Sequence, residues 1–248
     1  MTAFFIGTAT AEEIKLSMPD KLNPVSLMHA LNMRHSTKIF DTKEVDQKTL
    51  SSLLWAAFGV NRTTGERTIP TAMNEKDLKL FVIKKDGAFL FDGENHKLIS
   101  VLNEDIRPIF QTQEYMKNVP IVLLWTSSNK EYGALHAGSS YQNVSLFCEA
   151  YKMGGVVRGF FDKSKVKEAL KLQLNEEVLI SMAVGYPVFD EMDDKDVPEN
   201  QVKTDLGLTD PVSLKENKTP ESIMKIPETP VINNETNPAQ PIIESTVK

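Results

Sequence analysis

Arg34-His35-Ser36-Thr37-Lys38 sets two cations and a hydroxyl, Arg34, Ser36 and Lys38, at alternate positions. Alternate residues of an extended chain point the same way. The three side chains therefore form an anion clamp, in which Arg contributes a planar fork and Lys a point charge. Helical patterns on both sides would hold the segment between rigid elements, which suits a phosphorylated cofactor. Taken alone, the segment also fits a solvated surface loop. Arg34 equally fits a cation that satisfies the last carbonyls of the helix before it.

Outward from the clamp, Pro24 to Met33 is predicted to be a helix. Asn23 is its cap, Pro24 occupies its first turn, and Val25, Met28 and Leu31 form one apolar side. On the other side, Asp46 is predicted to cap a longer helix. There Leu50, Leu53, Leu54 and Ala57 recur at helical spacing, with Trp55 and Phe58 alongside and Gly59 as the stop. Residues 61–74 then form a polar loop containing Arg62, Arg67, Pro70 and Thr71, long enough to suggest a ligand-covering role. Three short strands follow at 78–83, 88–91 and 97–101, separated by Lys85-Asp86-Gly87 and Asp92-Gly93 turns, as an antiparallel meander. A short polar helix is expected from Asn103 or Glu104 to Phe110.

Val119 to Thr126 is a continuous apolar run and is predicted to be a buried central strand. Glu131 to Met153 is the longest expected helix. Its small residues Ala134, Ala137, Gly138, Ser139 and Ser140 permit close approach, and Gly154-Gly155 are expected to end it. Val156 to Phe161 is extended, Asp162 caps a helix reaching Leu170, and Val178 to Val184 is a further buried strand.

Composition bounds the function classes. The chain has 248 residues, 41% hydrophobic and 25% charged, enough for one large or two small domains with a sizeable core. From Glu191 to Lys248 there are 12 acidic and 6 basic residues, so the whole net charge of −6 lies there and the remainder is balanced. The chain thus lacks the clustered positive excess of a nucleic-acid surface. A single cysteine, Cys148, excludes an intrachain disulfide and a thiolate zinc site, and its apolar helical setting predicts burial. His29, His35 and His96 show no metal-ligand spacing, His136 reads as packed or surface-exposed, and no metal is expected.

The ends differ from the middle. Residues 1–23 form an N-terminal arm or the remnant of a signal segment. Ala9-Thr10-Ala11 has the small-residue character of a cleavage site but no basic region precedes it. A soluble protein is expected, and the choice between cytoplasm and export to the periplasm stays open. No run is long and apolar enough to span a bilayer. Residues 24–190 form the folded domain. Residues 191–248 lack aromatics, hold seven of the 13 prolines and are expected to be a disordered acidic tail.

Five motifs in order carry a resemblance. Arg34-His35-Ser36-Thr37-Lys38 matches an R-x-S-x-R/K element, and Leu53 to Arg62 matches an "LLWAA-G-NR" helix end. Arg67-Thr68-Ile69-Pro70-Thr71-Ala72-Met73-Asn74 matches an R-T-x-P-S-A-x-N loop, with Thr71 in place of Ser. Gly138 to Gly155, with Gln142-Asn143 and Leu146 inside, followed by Val156-Val157-Arg158-Gly159, matches a central helix and the strand after it. Val184-Gly185-Tyr186-Pro187 matches a closing strand. Over roughly residues 24–188 the chain resembles the FMN-dependent nitroreductase family, and within it the small branch grouped with azoline-forming peptide dehydrogenases.

The resemblance implies an α+β fold with a mixed, mostly antiparallel sheet flanked by helices, and a homodimer with FMN at the subunit interface. It implies FMN contacts from Arg34, His35, Ser36 and Lys38: Arg34 at the phosphate, Ser36 and Lys38 at the ribityl chain and the pyrimidine edge of the ring. Pro70, Thr71, Ala72 and Asn74 would line the ring. Gly154, Gly155 and Val156 would lie on its other side, and Arg67 or Arg158 would give a second phosphate contact. The implied chemistry is hydride transfer from NAD(P)H or another donor to a small electron-poor acceptor such as a nitroaromatic or quinone, with no dedicated acid or base. Two alternatives are a dehydrogenase acting on azoline rings of a peptide and a non-catalytic flavin-binding pseudoenzyme. One departure stands out. Where the family often has a basic pair after the closing strand, this chain has Phe189-Asp190-Glu191-Met192-Asp193-Asp194.

Overall fold

The structure is a computed structural model and describes residues 12–188. The expected acidic tail, and residues 1–11 with the signal-like Ala9-Thr10-Ala11, lie outside the described residues.

A seven-stranded sheet organises the domain: β1 (Glu13–Lys15), β2 (Lys79–Lys84), β3 (Gly87–Asp92), β4 (Lys97–Leu102), β5 (Ile121–Ser127), β6 (Gly154–Arg158) and β7 (Glu177–Gly185). Their order across the sheet is β1-β4-β3-β2-β5-β7-β6. The expected α+β architecture is present, and every strand pairing among the described residues is antiparallel. The meander is the run β2-β3-β4, placed within a residue or so of expectation. Among the described residues four helices accompany the sheet: α1 (Leu27–Met33), α2 (Gln47–Phe58), α3 (Lys130–Ala150) and α4 (Lys163–Ala169). Helix α3 leaves β5 and returns to β6, which runs the same way as β5, and β7 fills the gap between them.

All seven residues of β5 are buried. Leu123 and Trp125 face a core shared with α2 and α3, through Leu53, Leu54, Val144 and Phe147. Val122 and Leu124 face a second core with Phe110, Phe161, Val166 and Leu170. Successive strand residues point to opposite faces, so a strand covered on both sides reads as continuous apolar sequence even in an antiparallel sheet. Helix α3 fits closely because Gly133, Ala137 and Ser140 lie on its buried side. A methyl group on Gly133 would collide with Ser127.

Several local expectations are corrected. Helix α1 starts later than Pro24. Its cap is Ser26, which accepts from the His29 N–H, while Asn23 accepts from the Val25 N–H in a turn ahead of it. Gly154-Gly155 do not end α3. The helix stops at Ala150, the chain turns through Lys152 at φ 53°, and the two glycines open β6. The polar helix before Phe110 is only a 3₁₀ turn, Arg107–Phe110, because Pro108 supplies no amide for a longer ladder. The arm contains β1, which pairs with β4 and was not anticipated. Asp46 and Asp162 cap α2 and α4, and Gly59 ends α2, as the sequence predicts.

Trp125, fully buried, donates from its indole N–H to Ser140 Oγ at 2.9 Å, and Ser140 Oγ donates to the Ala57 carbonyl at 2.8 Å. Ser140→Ala would leave a buried donor and acceptor unpaired, at about 1–3 kcal/mol for such a group. The expected result is a loss of roughly 2 kcal/mol in urea unfolding, with the native fold retained.

Candidate functional site

The clamp segment lies between the end of α1 and a strand-like bridge at Phe40, which pairs with Pro187. Thr37 is buried, and its N–H donates to the Gly155 carbonyl at 3.2 Å. Arg34, Ser36 and Lys38 are exposed, as are His35 and Ile39. Among the described residues neither Arg34 nor Lys38 takes part in an ion pair within 4 Å. A Cβ on Gly154 would come within 2.6 Å of the Thr37 side chain, so glycine is required where β6 starts beside the clamp. On Gly155 a Cβ would meet Met182. The structure thus brings together Arg34, His35, Ser36, Lys38, Gly154 and Gly155, with Val156 next along the strand.

One carboxylate belongs to this end. Glu149, near the end of α3, lies 3.7 Å from His35 Nδ1. Burial pushes its carboxyl up from the usual range, while His35, His29 and Arg34 pull it down. His35 Nδ1 also lies 3.1 Å from the Met33 carbonyl.

Pro70, Thr71, Ala72 and Asn74 are elsewhere on the chain. They form a bend, exposed at Pro70 and Asn74 and half-buried at Thr71 and Ala72, around a 3₁₀ turn at Ala72–Asn74, tied to the first half of α3 by a bond from the Ala72 N–H to His136 Nε2 at 2.7 Å. His136 and Glu149 are both on α3. Their thirteen-residue separation corresponds to about 20 Å along the axis and roughly 140° around it at 3.6 residues per turn. Within one chain, the two groups of residues expected to face one ring are therefore far apart.

Arg67 and Arg158, expected as further phosphate contacts, are instead engaged inside the domain. Arg67 is buried over the Phe58 ring, donates to the Phe58 carbonyl at 3.3 Å and pairs with Glu94 at 3.4 Å. Burial lowers its pKa, opposed by Glu94 and Asp92. Arg158 donates to the Phe110 carbonyl and Thr112 Oγ1, both at 2.8 Å, and to Gln113 Oε1 and the Phe160 carbonyl. It fastens β6 to the turns before β5. Both positions carry the right charge in the right motif, and only tertiary packing reveals that the charge faces inward.

A cleft of about 400 Å³ opens between the arm, α1, α2 and α3, with Trp55, Leu146 and Phe147 among its walls. Leu27 and Met28 of α1 are 63% and 72% exposed beside it. His136, which the sequence reading placed either in the core or on the surface, is buried. Its spacing from Gly133 and Ser140 on the buried side of α3 is the signal that would have found it. Cys148 is buried as expected, and burial pushes its thiol up to about 12.

The model of the Nitroreductase family matches residues 31–186. The chain belongs to that family. Among its relatives is a nitroreductase candidate of Methanocaldococcus jannaschii, 25% identical over 195 residues, which span 70% of this chain and 97% of the relative. The crystal structure of another nitroreductase candidate, from Ralstonia eutropha, superposes with a TM-score of 0.69 at 29% identity, covering 75% of this chain and 93% of that one. The fold also resembles that of a chain of the E. coli microcin synthetase McbBCD complex with truncated pro-MccB17 bound. There the TM-score is 0.56 at 18% identity, covering 69% of this chain and 76% of that one. Membership in the nitroreductase family supports a general oxidoreductase function. Among the described residues no helix is long and apolar enough to cross a membrane.

Two outcomes follow for this nitroreductase-family chain. Arg158→Ala removes a buried guanidinium that ties the buried Phe110 carbonyl to three more exposed acceptors and is expected to cost about 2–4 kcal/mol of stability, whereas Arg34→Ala leaves the thermal midpoint unchanged within a degree or so; calorimetry of the two variants checks this. Cys148 should resist thiol reagents at pH 8 in the folded protein and react fully in guanidinium.

Proposed function

We propose that the protein is an FMN-dependent oxidoreductase, a homodimer that passes hydride from NAD(P)H to a small electron-poor acceptor of nitroaromatic or quinone type. The observation that carries this reading is the clamp. Arg34, Ser36 and Lys38 are exposed around a buried Thr37 whose backbone is bonded to Gly155, beside a glycine that cannot take a side chain.

These residues fit FMN. Arg34 and Lys38, outside any ion pair among the described residues, suit a phosphate and an electron-rich ring edge. The side-chain positions of Gly154 and Gly155 are taken up by Thr37 and Met182, so a planar ring lying against this segment would meet backbone rather than side chain. With Arg67 and Arg158 engaged elsewhere, the phosphate contact rests on Arg34, supported by Lys38 and Ser36. FMN, when bound, supplies the hydride chemistry, and the protein positions and tunes it.

Separation of the site residues supports the dimer. Pro70–Asn74 and the clamp would both contact the ring, yet the α3 residues they touch, His136 and Glu149, are about 20 Å apart along the helix axis. A second copy would bring its Pro70–Asn74 bend to the first copy's clamp. The exposed Leu27 and Met28 beside the α1–α3 cleft are a surface that such a partner would cover. A peptide-directed dehydrogenase is the second reading, and the fold likeness to a chain of the microcin synthetase complex is what favours it.

The deciding experiment reconstitutes the chain with FMN, desalts it and records the visible spectrum. About one flavin per subunit is expected, together with NAD(P)H oxidation when a quinone or nitro compound is added. Arg34→Ala should weaken FMN binding at least tenfold, about 1.4 kcal/mol, without unfolding. A colourless protein would sink the flavin reading. Flavin retention without turnover of small acceptors would shift the case to the peptide reading.

A further inference from the structure

We propose that His136 is the positioning residue for the Thr71–Asn74 bend, and that the shape it imposes there is what the bend presents to the flavin; the second clause rests on the function proposed above. His136 makes no contact with the clamp and belongs to none of the five sequence motifs that carry the resemblance.

The bend is costly to hold. Met73 and Asn74 are consecutive non-glycine residues with φ of 53° and 58°. Such left-handed conformations are strained and persist only where the surroundings impose them. Asn tolerates this region better than most residues, but Met does not. Packing of the Met73 side chain does not supply the constraint, since Met73 is 81% exposed. No side chain caps the turn at Thr71. Its own backbone bonds are two, from the Asn74 N–H to the Thr71 carbonyl at 3.3 Å and from the Glu75 N–H to the Ala72 carbonyl at 2.9 Å. Beyond the turn, Glu75 accepts from Asn129 at 3.0 Å. Among the described residues, the one bond from the turn itself to the body of the domain is that of the Ala72 N–H to His136 Nε2, at 2.7 Å.

The geometry also fixes the state of the ring. An Nε2 that accepts a hydrogen bond carries no proton, so the proton of the neutral imidazole is on Nδ1. Nδ1 is buried and has no partner among the described residues. Leaving a buried donor unpaired destabilises a fold. A leucine here would avoid that loss, but it would release Ala72. A histidine kept at the expense of stability, for one acceptor aimed at a strained and exposed bend, is a device for setting the shape of the bend.

The test uses full-length protein carrying His136→Leu, His136→Gln or Ala72→Pro. Leucine removes the acceptor, glutamine keeps an acceptor on a chain of similar reach, and proline removes the donor while His136 remains. Thr71 has φ −120° and ψ 115°, a conformation compatible with a following proline. Two quantities are read: hydrogen exchange of the peptide covering residues 70–75 in FMN-free protein, and the FMN dissociation constant from flavin fluorescence. The expected result for His136→Leu is at least tenfold faster exchange and at least tenfold weaker FMN binding. His136→Gln should restore both to within about threefold of wild type. Ala72→Pro should weaken FMN as His136→Leu does, and the double variant should be no worse than either, because both remove one bond. Unchanged exchange in His136→Leu, or glutamine behaving as leucine, would overturn the proposal. If exchange responds as expected while wild type binds no FMN, the anchoring role of His136 stands and the flavin reading falls.

Discussion

The hydrogen-bonded chain from the Trp125 indole through Ser140 to the Ala57 carbonyl joins three layers at one buried point. Trp125 belongs to the central strand β5, Ser140 to α3 and Ala57 to α2. Hydrophobic burial is non-directional and sets no register between a helix and a sheet. A buried polar group that must be paired does set one. The chain therefore fixes where α3 lies along its axis and how it is turned, and both the clamp and the 71–74 bend inherit their positions from α3 or from a strand that α3 covers.

This explains how two distant parts of the sequence meet. The clamp is held through Thr37 and Gly155, at the point where the chain, having left α3, enters β6. Crowding there leaves Gly154 no room for a side chain. The bend at 71–74 is held from the other half of the same helix through His136. Shortening α3 by one residue would turn one end relative to the other by about 100° and break either the polar chain or one of these attachments.

Much of this was legible in the sequence, and the failures have physical causes. Short runs between turn signals located β2 to β4, continuous apolar runs located β5 and β7, and helical spacing located α2, with α3 as the longest helix. Aspartates at 46 and 162 marked helix starts correctly, since their side chains satisfy local amides without help from tertiary structure. Gly154-Gly155 misled because glycine after a helix signals a stop, whereas here it answers a steric demand from Thr37 and Met182, residues remote in sequence. Arg67 and Arg158 misled similarly. A basic residue in a loop motif does not announce whether its carbonyl and amide partners lie in solvent or in the core. β1 was missed because Glu13-Ile14-Lys15 is too short to show alternation and becomes a strand only by pairing with β4.

On the proposed function, the length of α3 has a further consequence. If clamp and bend hold opposite sides of one flavin from two subunits, cofactor binding and subunit pairing are one linked equilibrium. A ligand that binds only the paired state stabilises it by RT ln(1 + [L]/Kd), so FMN would tighten the dimer and dilution would release FMN. The exposed Leu27, Met28 and Leu31 of α1 and an open cleft beside α3 would then be marginal in the free subunit and buried in the loaded one. An acidic run following Pro187, in place of a second basic pair, is compatible with such a site, because ring contacts from two chains would offset a phosphate held by fewer cations. Affinity would thus rest on assembly as much as on charge, and the rigidity that α3 gives to both ends is what makes that division of labour possible.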